Sequence, residues 1–293
     1  MDIYQEVSDR IIEAIENGEI PWLKPWVGTL DGAISHATGK PYSIINQLLL
    51  GKPGEWLTFE QCKKEGGHVK KGAKSRIVVF WKIMTTDKTD ANGHPVLDAS
   101  GEHVTVQFPV LKYFRVFHIS DCEGITPRMK EPESFNNNPI EAAERVLHDY
   151  IEREHVGLYI ERSNRAFYRP STDEIHLPLL EQFEQVAEFY STAFHEATHS
   201  TGHEKRLNRL AGTDDAASGL ESYSKEELVA EIGACAIMNR LGIETANTFR
   251  NSAAYVQGWL KALRNDKRMI VSAAGKAEKA VQLIMNEGSE SNA

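Results

Sequence analysis

Two histidines and a glutamate in one short run have the side chains needed to hold and use a metal ion. His195 and His199 are four residues apart, so on a helix they lie one turn apart on one face and can bind a single divalent cation. Glu196 lies beside them, where its carboxylate can accept a proton from a water molecule that the cation activates. The run therefore predicts a hydrolytic metal centre with His195 and His199 as metal ligands and Glu196 as the catalytic base.

The residues before this run place it on a buried helix. Apolar side chains recur there at helical spacing, at Phe183, Val186, Ala187, Tyr190, Ala193 and Phe194. A helix of this kind is where the H-E-x-x-H pattern of zinc-dependent hydrolases occurs. The alternative is that both histidines are packed or capping residues of the helix, but the helical context and a candidate third ligand downstream favour metal binding.

A catalytic zinc site takes three protein ligands, and a helix predicted over residues 223–234 supplies two candidates for the third. Glu227 and Glu231 are one turn apart on it, an arrangement in which the first binds the metal and the second orients a histidine. Ser224 and Glu227 also match a capping box, which would use Glu227 at the helix start and leave Glu231 as the ligand. We expect Glu227 to be the ligand and Glu231 to orient one. The expected ion is Zn²⁺, with Mn²⁺ as the alternative.

His203 is a further candidate ligand. It resembles the last histidine of the longer three-histidine signature, but in that signature the histidine comes two residues later. We therefore do not expect His203 to bind the metal.

Length and composition indicate a globular protein of two domains. The chain has 293 residues, which is enough for two domains that each bury a core. No apolar run approaches the roughly 20 residues that a membrane span needs, and the first residues do not resemble a signal peptide. Cys62, Cys122 and Cys235 lie far apart, which argues against a disulfide framework or a thiolate metal site. A cytoplasmic location without a membrane partner is the expectation.

The net charge of −9 is unevenly distributed along the chain. Residues 1–130 hold 16 basic and 16 acidic side chains, whereas residues 131–293 hold 17 and 26. Within the first half, residues 61–82 hold seven basic side chains against the single acid Glu65. A basic surface, if the chain has one, is therefore expected in the first half.

This basic segment has the features of a single-stranded nucleic acid site, because lysines can attract phosphates while neighbouring aromatic rings stack on bases. The alternative is a solvated loop beside a buried pair of aromatic residues, Phe80 and Trp81. The residues expected to contact single-stranded DNA are Lys63, Lys64, Lys70, Lys71, Lys74, Arg76, Trp81 and Lys82.

Local patterns predict the elements that position both sites. The strand over 110–119 is apolar throughout, so we expect it to be well covered. In the first half the other predictions are helices over 3–15 and 44–50, a helix that opens at 56–59 and runs through Cys62, a strand over 76–82 and an excursion over 85–107. In the second half they are a helix over 140–153, a strand over 156–161, a hairpin of 166–170 with 174–178, the motif helix as far as Gly202, and two helices within 252–287.

Residues 131–139 are polar and bounded by prolines, as in a linker. We therefore divide the chain into a first domain over 1–130, a linker over 131–139 and a second domain over 140–293.

With these pieces in view, the chain resembles the ArdC family of plasmid antirestriction proteins, and also the N-terminal part of certain conjugative plasmid primases. The resemblance covers nearly all 293 residues. In the first half it rests on residues 3–12, Pro21-Trp22, residues 38–42, Lys70-Lys71-Gly72, residues 79–82 and residues 113–117. In the second half it rests on residues 168–173, the run from His195 to His203, residues 206–209 and residues 226–231.

The resemblance implies an α+β protein, with a small α+β domain that binds single-stranded DNA and a mainly helical, zincin-like metallopeptidase domain. Such proteins protect incoming plasmid DNA from host restriction during conjugation, which makes the host restriction machinery one candidate for an unidentified protein substrate. Position by position, the ligands would be His195, His199 and a glutamate within Glu226–Glu231, with Glu196 as the acid/base.

Two residues depart from the family pattern. Ala197 and Ser200 stand where a larger apolar residue and an aromatic residue are usual, which would reshape the pocket wall. The resemblance does not imply proteolysis by itself, because such a family can keep its metal for structure. The alternatives are a non-catalytic protein that coats single-stranded DNA and, more remotely, a DNA-processing metalloenzyme.

Overall fold

A computed structural model describes residues 2–17, 20–21, 32–90, 94–98, 100–128, 139–210, 219–243 and 252–287. The proposed linker over 131–139, apart from its last residue, lies outside this part of the chain, as does Trp22 of the family motif. Within the described residues, no helix is both long and apolar enough to span a membrane.

The first half combines short helices with a sheet. Its helices are α1 (Ile3–Glu16), α2 (Ile44–Leu50) and α3 (Phe59–Lys64). Its strands are β1 (Ala33–Ser35), β2 (Gly54–Thr58), β3 (His68–Val69), β4 (Arg76–Asp87), β5 (Thr105–His118) and β6 (Cys122–Glu123). β1, β2, β5 and β4 form a sheet in that order, and β3 pairs with β6.

The second half is mainly helical around a small sheet. Its helices are α4 (Pro139–Glu154), α5 (Val186–Ser200), α6 (Gly219–Arg240), α7 (Ser252–Asn265) and α8 (Met269–Ile284). Its strands are β7 (Gly157–Glu161), β8 (Phe167–Arg169) and β9 (Glu174–Pro178), with β9 between the other two. The predicted α+β class is confirmed.

The two halves share one hydrophobic core. A single cluster of buried residues includes Val7 and Ile11 from α1 together with residues of α4 to α8. Ser8 Oγ donates a hydrogen bond to the Lys267 carbonyl at 2.9 Å, and the Ile44 amide donates to Glu278 at 2.6 Å. The first helix of the chain thus packs against its last two helices.

Two predictions in the first half were wrong. Trp56, Leu57 and Thr58 belong to β2 rather than to a helix, and Thr58 caps α3 instead. The strand over 110–119 is not covered throughout, because Phe114 is 53% exposed. Its strand β5 pairs with β4 over twelve residues, and this long hairpin extends beyond the layers that cover its base.

Candidate metal centre and nucleic-acid surface

Helix α5 carries the two histidines, and helix α6 packs beside it. His195 and His199 lie in the last two turns of α5 and are largely buried. Helix α6 begins at Gly219, five residues before Ser224, so Glu227 is inside the helix and Ser224 is not its N-cap. The capping-box alternative is therefore wrong, and Glu227 is free to face α5.

Three donor groups converge between the two helices. The two Nε2 atoms of His195 and His199 are 3.1 Å apart. Glu227 Oε1 lies 3.4 Å from His199 Nε2, and Glu227 Oε2 lies 3.5 Å from His195 Nε2. Ligand atoms of a four-coordinate ion at about 2.0–2.2 Å must lie about 3.3–3.6 Å from each other. The group is thus spaced to hold one divalent cation, and its donor atoms all lie within 4.8 Å.

The other nitrogen of each imidazole faces a second carboxylate. His199 Nδ1 lies 3.6 Å from Glu226 Oε1, and His195 Nδ1 lies 3.8 Å from Glu231 Oε1. The structure therefore has Glu231 beside a histidine, as the sequence predicted. Glu226 has the matching position beside the other histidine, and this role was missed. A signal was available, because Glu226 is the first residue of the run 226–231 on which the family resemblance rests.

The site holds more negative than positive charge. Glu196, Glu226, Glu227 and Glu231 are all mostly buried around the histidines, and one buried cation, Arg209, pairs with Glu226. A divalent cation would neutralise much of this surplus. The donor types and the charge therefore both suit a metal ion.

Without a metal, the carboxylates act on the protonation of the histidines. Burial lowers the pKa of His199, but the acidic side chains of Glu226 and Glu227 beside its ring outweigh this effect and raise the pKa to about 10. Burial raises the pKa of Glu227, yet hydrogen bonds from His195 and His199 bring it well below its ordinary value. For Glu231, which has no such bond, burial raises the pKa to about 7.

Other candidate side chains lie elsewhere. His203 is not part of the converging group: its Nδ1 accepts the Lys205 amide at 3.2 Å. His176 stacks between the rings of Tyr159 and Phe167, with ring centroids 4.9 and 4.6 Å away. Ser200, one of the two departures from the family pattern, is buried and hydrogen-bonded to the Tyr150 hydroxyl at 2.7 Å.

All eight residues predicted to contact DNA are exposed, but the structure divides them among several surfaces. Lys63 and Lys64 end α3, and three lysines lie in the turn before β4. Arg76, Trp81 and Lys82 lie on β4 itself. Because side chains alternate along a strand, Trp81 points to the opposite face from Arg76 and Lys82, and its ring lies 6.3 Å from that of Tyr4. The predicted set is therefore not one surface.

One face of the β4–β5 hairpin brings cations and rings together. By alternation and cross-strand pairing, this face carries Arg76, Phe80, Lys82, Phe108, Lys112 and Phe114, and we call it the hairpin face. Phe80 and Phe114 are 43% and 53% exposed, and their ring centroids are 5.9 Å apart. Every charge in this set is positive. Phe80, Lys112 and Phe114 were missed as a group, although the two-residue alternation would have identified them.

Comparison with known proteins relates each half of the chain to a family. Residues 1–117 match the family described as the N-terminal domain of the anti-restriction factor ArdC. Residues 145–276 match the family described as zincin-like metallopeptidase. The matches thus cover both candidate sites.

Longer relatives and solved structures agree with these matches. The DNA primase TraC of Escherichia coli is 37% identical over 96% of this chain, which spans 27% of the length of that primase. Two crystal structures of the antirestriction ArdC protein from plasmid R388 are similar over nearly their whole length. The metal-free form has 34% identity, a TM-score of 0.73 and coverage of 98% of this chain and 97% of that one. The Mn(II)-bound form has 33% identity, a TM-score of 0.74 and coverage of 99% of both.

Proposed function

Because the chain belongs to the ArdC family of antirestriction proteins, we propose that it protects incoming plasmid DNA from host restriction during conjugation. It does so by binding single-stranded DNA through residues 1–130 and hydrolysing peptide bonds at a metal centre in residues 140–293, in the cytoplasm of the recipient. The observation that carries the catalytic part is the convergence of His195, His199 and Glu227.

His195, His199 and Glu227 would hold one divalent cation. Two imidazoles and a carboxylate suit Zn²⁺ and also accept Mn²⁺, and the ArdC relative from R388 has a Mn(II)-bound form. When bound, such an ion lowers the pKa of a water molecule and polarises a carbonyl oxygen.

Glu196 would move the proton. Its side chain is 8% exposed and follows His195 directly, so its carboxylate is on the same helical turn as the first ligand. As general base it takes a proton from the attacking water, and as general acid it returns this proton to the amine that leaves when the peptide bond breaks. Removing its charge should stop hydrolysis without removing a ligand.

Glu196→Gln tests the catalytic proposal. We expect this variant to lose protection of a transferred plasmid in a restricting host while it still binds metal. Glu188→Gln, which makes the same change earlier on α5, is the matched control and should protect as the wild type does. If Glu196→Gln protects fully, hydrolysis is not the function.

The hairpin face would bind single-stranded DNA. Phe80 and Phe114 offer rings on which two bases can stack, and Lys82 and Lys112 lie beside them to attract phosphates. The lysines of α3 and of the turn before β4 extend the positive field around the face. A duplex would bind more weakly, because its bases are already stacked on each other.

Binding of a fluorescent oligo(dT) at fixed salt concentration tests this surface. Phe80→Ala and Phe114→Ala should each weaken binding by about 1–3 kcal/mol, the usual contribution of one stacked base. Leu97→Ala is the control. Leu97 is also apolar and exposed, but it lies in the connection between β4 and β5 and not on the hairpin face. Unchanged affinity in both phenylalanine variants would exclude the hairpin face.

A specific contrast separates this proposal from a protein that only coats DNA. Replacing Lys70, Lys71 and Lys74 by Ala removes three exposed cations and should weaken both DNA binding and its salt dependence. If these changes abolish protection while Glu196→Gln preserves it, the metal centre is structural and DNA coating is the function.

A further inference from the structure

The two histidines of the metal centre are held by carboxylates in different surroundings. Glu226, which faces His199, accepts hydrogen bonds from Arg209 on both of its oxygens, at 2.7 and 3.3 Å. Glu231, which faces His195, has one buried oxygen without a hydrogen-bond partner among the described residues. The orientation of Glu226 is therefore fixed by a cation, and that of Glu231 is not.

Arg209 is itself fixed to the helix that carries His199. Its guanidinium donates to the Thr198 carbonyl at 2.8 Å and to Thr201 Oγ1 at 2.7 Å. These two residues flank His199 at the end of α5, and the Arg209 side chain is only 5% exposed. One buried guanidinium thus ties the turn that carries His199 to the carboxylate on α6 that faces its ring.

We propose that Arg209 and Glu226 are positioning residues that set the metal affinity of this site by holding the His199 ring in its binding orientation. The inference rests on the proposed metal centre. A carboxylate opposite Nδ1 favours the tautomer with the proton on Nδ1, which leaves the lone pair of Nε2 for the metal. The distance of 3.6 Å becomes a hydrogen bond after a shift of about half an ångström.

Titration of the full metal-free chain with Mn²⁺, followed by electron paramagnetic resonance, tests the inference. Glu226→Gln keeps the shape of the side chain but removes its charge, and should weaken binding about 10- to 100-fold. Arg209→Lys keeps a charge but cannot reach Glu226, Thr198 and Thr201 together, so it should also weaken binding. Because the two residues act as a unit, the Mn²⁺ affinity of the double variant should be little lower than that of the weaker-binding single variant.

Glu278→Gln is the matched control. It removes the charge of a carboxylate on α8 that pairs with Arg240 at 3.5 Å and accepts the Ile44 amide at 2.6 Å, and neither contact involves the three proposed ligands. It should lower the thermal unfolding midpoint of the metal-free protein and leave the Mn²⁺ affinity unchanged, which separates positioning from general stability.

The outcomes are distinguishable. If the wild type binds no Mn²⁺, the proposed metal centre fails. If the wild type binds Mn²⁺ and Glu226→Gln binds it equally well, the positioning role is wrong. Additive losses in the double variant would also contradict it, since Arg209 would then not act through Glu226.

Discussion

At the scale of single residues, a second arginine fixes the end of the helix that carries His199. Arg206 Nε donates to the Ser200 carbonyl at 2.8 Å, and its guanidinium binds both oxygens of Asp173. Tyr168 donates to Asp173 as well, at 2.8 Å. Asp173 has a left-handed backbone conformation with φ 57°, which aspartate and asparagine tolerate better than most residues. The end of α5 is thereby tied to the turn between β8 and β9.

This contact predicts a pH dependence of stability. Burial raises the pKa of Asp173, but the bonds from Arg206 and Tyr168 outweigh it and lower the pKa below its ordinary value. A carboxylate with a lowered pKa stabilises the folded state above the unfolded pKa of about 4, and this contribution is lost as the pH falls through the folded pKa. Between about pH 5 and pH 2, the free energy of unfolding should therefore fall more steeply in the wild type than in Asp173→Asn.

Denaturant unfolding of chelator-treated protein at each pH measures this difference. Asparagine is the right replacement because it keeps the backbone conformation while removing the titration. If the free energy of unfolding falls equally with pH in the wild type and in Asp173→Asn, the Asp173 carboxylate does not contribute to stability as described.

The positions of single side chains could be predicted from the sequence where the spacing of residues alone determines their geometry. The interval between His195 and His199 is sufficient to predict that they share a helix face. The choice between Glu227 and Glu231 depended on where α6 begins, and helix starts are poorly determined by local residues. The contacts of Arg209 with α5 and Glu226 could not be predicted, because they depend on a loop that brings Arg209 back to the helix that precedes it.

At the scale of elements, the site depends on how closely α5 and α6 approach each other. Gly233 on α6 faces Thr198 on α5, and a Cβ atom at Gly233 would lie 2.7 Å from Thr198 Cγ2. Thr198 directly precedes His199. The missing side chain therefore lets the two helices come close enough for Glu227 to reach both histidines.

Gly233→Ala should move the helices apart. Overpacking should destabilise the fold by about 1–3 kcal/mol, which exceeds the stabilisation of about 1 kcal/mol from the better helix propensity of alanine. Both the thermal midpoint and the metal affinity should therefore fall. Gly275→Ala is the control on α8, where a Cβ atom meets nothing within 4 Å, and it should be neutral or stabilising. Calorimetry and metal titration of both variants would check this; unchanged metal affinity in Gly233→Ala would contradict it.

Among the elements, the sequence predicted the bounds of α1 well and the exposure of the β4–β5 hairpin poorly. The amphipathic pattern of α1 gave nearly the observed bounds, because its apolar stripe packs on the core. The apolar pattern of β5 indicated burial, but pattern alone does not say whether another layer covers the strand. Phe114 is apolar and exposed, as expected of a residue that stacks on a ligand.

At the scale of the whole molecule, α1 is joined to the region where α7 ends and α8 begins. Arg264 in the last turn of α7 pairs with Glu16 at the end of α1, and Lys267 between α7 and α8 pairs with Asp2 at its start. Ile11 is 2% exposed within the shared hydrophobic cluster. Residues 1–130 and residues 140–293 should therefore unfold together.

Ile11→Ala tests this coupling. Truncating a buried isoleucine removes about 2–5 kcal/mol of stability, and because the core is shared, amides in α5 and α6 should lose protection against hydrogen exchange together with those in β4. Mass spectrometry of exchange in the metal-free protein measures this. Loss confined to residues 1–130 would mean that the halves fold independently.

The shared core could not be predicted from the sequence. The charge difference between the halves and the polar segment over 131–139 indicated two separate units. Neither feature reports contacts between residues more than two hundred positions apart, and these contacts place α1 against α7 and α8.

The most direct test of the account is the metal content of the full chain after saturation with Zn²⁺ or Mn²⁺ and removal of free ions. We predict one ion per chain in the wild type and in Glu231→Gln, and none in His199→Ala or Glu227→Gln. Retention of the ion by His199→Ala and Glu227→Gln, or its loss from Glu231→Gln alone, would contradict the assignment of the three ligands.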